Sequence, residues 1–162
     1  MELSSTLFGL AAMAVFVLPI VYLQGIQKRK EKVLFAEFLQ LAQEKGLKVT
    51  LSEVWNYVYC LGIDTQSKQL IHFKKKGETP EIRVIDLKPF KKCSVSKTVR
   101  TVKTNDGPVA IIERLHLTLT PSNTQSKVEN IEFYNADESS SITTELPLVA
   151  KWEKQINQAL QA

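Results

Sequence analysis

Residues that carry chemistry are scarce in this chain. Of 162 residues, two are cysteine and two are histidine. Cys60 and Cys93 form no CxxC pair and have no third ligand nearby, so no zinc site is encoded. Their apolar, strand-like surroundings fit buried, reduced thiols in a cytosolic domain, and the spacing leaves open whether they ever pair. His72 and His116 lack HxxxH or HExxH spacing, and both fall on the more polar register of their strands, as solvated or edge histidines do. The six glycines stand singly, which excludes a glycine-rich phosphate loop. Asp64 and Asp86 close strands or turns, Glu129 and Glu132 are expected on an exposed face, and no carboxylate pair has the placement that acid–base work demands. The expectation is a non-enzymatic chain with no cofactor and no metal site.

Charge is also missing from one end. Between Leu3 and Gln27 there is no charged side chain. The stretch LFGLAAMAVFVLPIVYL, residues 7–23, reaches about 20 residues with its flanks, or about 30 Å as a helix. Pro19 comes late in it, and Tyr22 stands where an interfacial aromatic belongs. A secretory signal would start with basic residues, whereas here Met1-Glu2 comes first, and LQGIQKRK offers no small-x-small cleavage site. Residues 1–27 are therefore expected to form a retained, single-pass transmembrane anchor. Lys28, Arg29, Lys30 and Lys32 follow at once, and the positive-inside rule then leaves the N-terminus outside the inner (plasma) membrane and the bulk of the chain in the cytoplasm.

Residues 28–46 read as a basic juxtamembrane segment running into an amphipathic helix, VLFAEFLQLAQEKG. Leu34, Phe35, Phe38, Leu39, Leu41 and Ala42 lie on one side of it, and Gly46 offers a stop. Its apolar face has three outlets: its own domain, the membrane, or another copy. Residues 47–162 then change character. Strand patterns follow in VWNYVYCLGID (54–64), KQLIHFKK (68–75), IRVIDL (82–87), KKCSVSKTVRTVK (91–103), IIERLHLTLT (111–120) and VENIEFYN (128–135), with turns at DTQS, GETP, NDGP and PSNTQS. Leu115, Leu117, Leu119, Ile131 and Phe133 are expected inward. From Pro147 the period becomes helical, so 147–160 should form a closing helix with Trp152 as its largest core residue. The fold class is mainly β with α: a bent antiparallel sheet or partly open barrel of about six or seven strands, capped by one C-terminal helix.

The hairpin LGIDTQSKQLIHF, the following VIDLKPFKKCSV and the terminal helix together resemble bacterial members of the pleckstrin-homology-like superfamily over residues 47–162. The resemblance implies a binding or scaffolding module, commonly tethered to a membrane, and not an enzyme. Phosphoinositide-reading relatives place basic residues in the loop joining the first two strands. Here that loop, DTQSK, holds only Lys68, so phosphoinositide specificity does not transfer.

Charge is uneven along the chain. Residues 1–100 carry 16 Lys and Arg against 9 Asp and Glu, while residues 101–162 carry 5 against 8. The candidate membrane-facing bases are Lys28, Arg29, Lys30, Lys32, Lys74, Lys75, Lys76, Lys91 and Lys92, attracted to an anionic bilayer if they share a face. Their ordinary reading is a solvated sheet face. Nucleic acid fits poorly, because Phe73 and Phe90 suit the core better than a stacking platform. The leading expectation is an adaptor that docks an unidentified protein partner at a sheet edge or beside the C-terminal helix. Anionic-lipid binding through the lysines is the first alternative. A homo-oligomer built through the anchor and residues 33–46 is the second.

Overall fold

The computed structural model describes residues 2–77, 79–104, 107–123, 127–139, 141–142 and 144–161, with the side chains at 2–12, 14, 16 and 20 outside that description. The two expected N-terminal helices are one. Helix α1 runs unbroken from Glu2 to Glu44, through Pro19 and through the basic segment. Between Gln27 and Val33 the chain is Gln, Lys, Arg and Glu, all good helix formers, and nothing there breaks the backbone ladder. Gly46 ends it as expected, at φ 71°. Its N–H donates to Gln43 C=O, and that of Leu47 reaches back to Ala42 C=O at 3.0 Å, the paired bonds of a glycine-terminated helix. Among the described residues no helix is long and apolar enough to cross a membrane. Most of the expected anchor lies among side chains outside the description; those described at Met13, Val15, Val17, Leu18, Val21, Tyr22 and Leu23 are exposed.

Among the described residues seven antiparallel strands follow, within the range expected. The first sheet has the order β1 (Leu51–Trp55), β2 (Tyr59–Asp64), β3 (Gln69–Lys75), β4 (Pro80–Asp86). The second has β5 (Phe90–Thr104), β6 (Gly107–Pro121), β7 (Glu129–Asn135). The run read as one strand over 54–64 is two. Asn56 and Tyr57 both take positive φ, 52° and 54°, and fold the chain back so that Trp55 pairs with Tyr59. Asn tolerates that left-handed conformation, but the aromatic and β-branched neighbours mask it as strand. Helix α2, Glu145–Gln161, starts two residues earlier than expected, with Pro147 in its first turn. The turns expected at GETP, NDGP and PSNTQS fall partly on residues outside the description.

The main core lies between the sheets and under α2. Leu61, Ile63 and Leu70 from the first sheet meet Leu115, Leu117, Leu119, Ile131 and Phe133 from the second, and Val149, Trp152 and Ile156 close the end. Trp55 joins the two sheets: it stacks on Tyr59 and on Phe133, and its indole N–H donates to Phe133 C=O at 3.0 Å. A second cluster lies on the other face of the first sheet, where Leu34, Phe38 and Ala42 of α1 cover Cys60, Ile71 and Phe73. Of the three outlets for the amphipathic face, packing on its own domain is the one observed. β2 is consequently buried at every position, and the continuous apolar run YCLGI is what a strand covered on both faces requires.

Candidate docking groove

Strand β1 is an end strand of its sheet, and two helices rise beside it. From α1, Lys28, Glu31, Lys32 and Phe35 come to its edge at helical spacing. From α2, Pro147, Leu148 and Lys151 approach the same strand. Two clefts of about 510 and 490 Å³ result, and they share Glu31, Glu53, Val54 and Lys151, so they form one groove along β1. The Lys151 ammonium pairs with the Glu53 carboxylate across it. The β1–β2 turn fixes its end: Asn56 Nδ2 donates to the buried Glu145 carboxylate at 2.7 Å, and Tyr57 Oη to Gln27 Oε1 at 3.3 Å. The floor is apolar at Val54 and Leu148, and the rim holds Lys28, Glu31 and Lys32. An open strand edge between such walls is suited to an added extended segment.

The expected basic residues do not share one face. Lys28 and Lys32 line the groove, whereas Arg29 and Lys30 line a cleft on the other side of α1, facing Tyr57 and Lys75. Each member of the lysine run has a carboxylate. Lys74 Nζ lies 2.6 Å from Glu132 and 2.8 Å from Glu138; Lys75 Nζ lies 2.5 Å from Glu37, and Lys76 Nζ 3.1 Å from Glu138. Lys91 and Lys92 are exposed near the start of β5.

Lys74 is far from a solvated lysine. Its side chain is only 14% exposed, and Tyr59 Oη donates to the same Glu132 oxygen at 2.9 Å. Burial disfavours the ammonium, but the hydrogen bonds to Glu132 and Glu138 outweigh it and hold the Lys74 pKa above its ordinary value. Glu138 is brought down to about 2, chiefly by the Lys74 hydrogen bond. Glu132, expected on an exposed face, is instead half-buried in this cluster. The group joins β3 to β7 and the turn beyond it, so it closes the side of the sandwich.

His72 corrects the reading of a solvated histidine. It is 4% exposed, because its register on β3 points between the sheets beside Tyr59. Among the described residues neither ring nitrogen has a well-formed hydrogen bond, and burial followed by the Arg83 charge lowers its pKa to about 4. His116 is half-buried, its pKa lowered first by burial. Cys60 and Cys93 are free and fully buried, one under α1 and the other in the main core. Burial pushes both thiols up to about 12, the state of inert rather than nucleophilic sulfur. Asp64 is buried as a latch for its hairpin: it accepts from the backbone N–H groups of Lys48, Gln66 and Ser67. Among the described residues no group of three His, Cys, Asp or Glu side chains is placed to hold a metal ion.

The groove was only partly foreseeable. A sheet edge and the C-terminal helix are nameable from sequence, but Glu53 and Lys151 meet across 98 positions, and no local pattern announces that. No family model, curated protein or solved structure matches the chain.

Proposed function

We propose that this chain is a non-catalytic docking module of pleckstrin-homology-like type, tethered to a membrane by the first half of α1, that binds an extended acidic segment of a protein partner along β1. The groove between α1, β1 and α2 is the observation that carries this reading: an end strand, an apolar floor and a rim where Lys28 and Lys32 outnumber Glu31, with Lys151 paired to Glu53, together fit a strand of modest acidic charge. Four strands, then three, then one helix at the end is the element order that supports the fold assignment. The tether draws support from the uncharged stretch between Leu3 and Gln27 and from the exposure of its described apolar side chains. Against the lipid alternative, the carboxylates on Lys74, Lys75 and Lys76 already supply the charge that a headgroup would.

Site-specific photo-cross-linking in native membranes tests the docking role. A photoreactive residue at Ser52, in the groove, should give a discrete adduct that is lost in K28E/K32E; one at Val84, on the other edge strand, should not. An absent Ser52 adduct, or one indifferent to the charge reversal, removes the groove reading. A photoreactive anionic lipid covers the alternative, which requires labelling that is lost in K74A/K75A/K76A. For topology, an external thiol reagent should reach a cysteine placed at Ser4 and miss one placed at Ser139.

A further inference from the structure

Helix α1 has two flanks beside the ridge that packs on the first sheet. One carries Lys28, Glu31 and Lys32 to the β1 groove. The other carries Ile26, Arg29, Lys30 and Val33 to a cleft of about 560 Å³, closed by Tyr57 of the β1–β2 turn and by Lys75 and Gly77 at the end of β3. Charges in this second cleft do not cancel. Lys75 is matched by Glu37 at 2.5 Å, the one carboxylate among its described lining residues. Arg29 and Lys30 are exposed and enter no ion pair among the described residues. Two positive charges are left over.

Height along the helix gives those charges their meaning. α1 is one unbroken rod, and the domain is fixed to it by Leu34, Phe38 and Ala42 and by the hydrogen bond from Tyr57 to Gln27. With the first half of α1 in a membrane, Arg29 and Lys30 lie about 3 and 4.5 Å beyond Gln27. That is inside a headgroup layer of about 5–8 Å on each side of the hydrocarbon. Glu37 lies about 15 Å beyond Gln27, so it draws Lys75 clear of that layer. Tyr57, 45% exposed, stands where interfacial aromatics belong. The wall on the membrane side is apolar: Leu23, Ile26, Lys30 and Val33 share one side of α1 at spacings of three and four. Leu23 is exposed and Ile26 half-buried.

We propose that this cleft holds one anionic phospholipid, its phosphodiester on Arg29 and Lys30 and an acyl chain along Ile26 and Leu23. The site rests on the membrane tether proposed above. It lies on the opposite flank of α1 from the β1 groove, and it does not use the lysine run, whose charges are already matched. Charge selects an anionic lipid over a zwitterionic one. A near-surface cation favours it about fivefold, so two give about thirtyfold. The apolar wall selects a lipid over a free phosphate ester, which would leave that wall uncovered.

Photo-labelling of the full-length chain in phosphatidylcholine nanodiscs tests it. Traces of photoreactive phosphatidylglycerol and of phosphatidylcholine with the same reactive group are compared, reading adducts at Ile26 and Val33 by mass spectrometry. Wild type should take about thirtyfold more of the anionic probe. R29Q/K30Q should bring that ratio close to unity; glutamine is a good helix former, so the helix itself is kept. K28Q/K32Q, which removes two charges from the other flank, should keep the ratio, as should K74A/K75A/K76A. Equal labelling of wild type by the two probes overturns the proposal, as does an equal loss in either control variant or displacement by soluble glycerol 3-phosphate. A chain that never enters the nanodiscs overturns tether and site together, whereas one that enters without preference overturns the site alone.

Discussion

Replacing Gly62 with alanine should release α1 from the β-domain without unfolding that domain. A Cβ at Gly62 would lie 2.6 Å from Phe38 Cζ, 3.0 Å from Val49 Cγ1 and 3.3 Å from Ile71 Cγ2. Carbon atoms in contact prefer about 3.5–4.0 Å, so the Phe38 ring must move by about 1 Å. It has little room, lying fully buried against Phe73 and stacked on Phe35. Overpacking of this kind costs about 1–3 kcal/mol. Taking about 2 kcal/mol, the population of chains with α1 undocked rises about thirtyfold. The two native cysteines report it. Cys60 lies under α1 and Cys93 in the main core, and both thiols are pushed up to about 12. Neither therefore reacts until its cover opens, and mass spectrometry after brief alkylation reads both sites in one molecule. The expected result is about thirtyfold faster labelling of Cys60 and unchanged labelling of Cys93. Phe38→Leu in the same chain should restore much of the Cys60 protection, since the smaller side chain admits the new methyl. Equal acceleration at both thiols would show that helix and sandwich open as one unit, and no acceleration would refute the packing argument itself.

Three further outcomes follow from buried polar groups. His72 favours its neutral form in the folded state, with a pKa of about 4. The unfolded chain therefore binds more protons between about pH 4 and 6.5; about 3 kcal/mol of stability, complete above 6.5, is lost as pH falls through that window. Urea titrations across it should show the slope in wild type and a flatter one in His72→Phe; parallel slopes would dismiss His72 as the cause. Asp64→Ala should cost about 3 kcal/mol in a thermal melt, because three backbone donors lose a charged acceptor. The Asp64 pKa is lowered, first by the Lys48 N–H, so its stabilisation is present above the ordinary carboxylate range and fades as pH falls towards the folded value. A melt unchanged by the substitution counts against the latch. Lys74→Met should cost about 2 kcal/mol by leaving Glu132 and Glu138 without their shared cation. Lys76→Met, at a side chain 72% exposed, should stay within about 0.5 kcal/mol; equal effects would mean that burial does not distinguish them.

Much of the architecture was legible in local pattern. Alternation in RLHLTLT and NIEFYN set Leu115, Leu117, Leu119, Ile131 and Phe133 inward, and helical spacing placed Trp152 in the core, as found. Gly46 marked its helix end correctly. Misreadings came where local signals conflicted. Asn56 and Tyr57 adopt left-handed backbone inside a run of strand-forming residues, so the first hairpin was hidden. His72 sits on the polar register of β3, and only the neighbouring sheet makes that register an interior one. The lysine run reads as a solvated strand end until Glu37, Glu132 and Glu138 arrive from distant positions.

The sequence by itself determined the elements and their inward faces, because side-chain period and turn chemistry act over a few residues. It also determined where charge is absent, between Leu3 and Gln27, and where it gathers. Only the tertiary structure decided which surfaces are free. Burial of β2 on both faces requires α1 to return across it, and the missing side chain at Gly62 matters only once Phe38 lies above it. The groove along β1 is likewise a property of which segments cover a strand, and that coverage comes from positions far away in the chain.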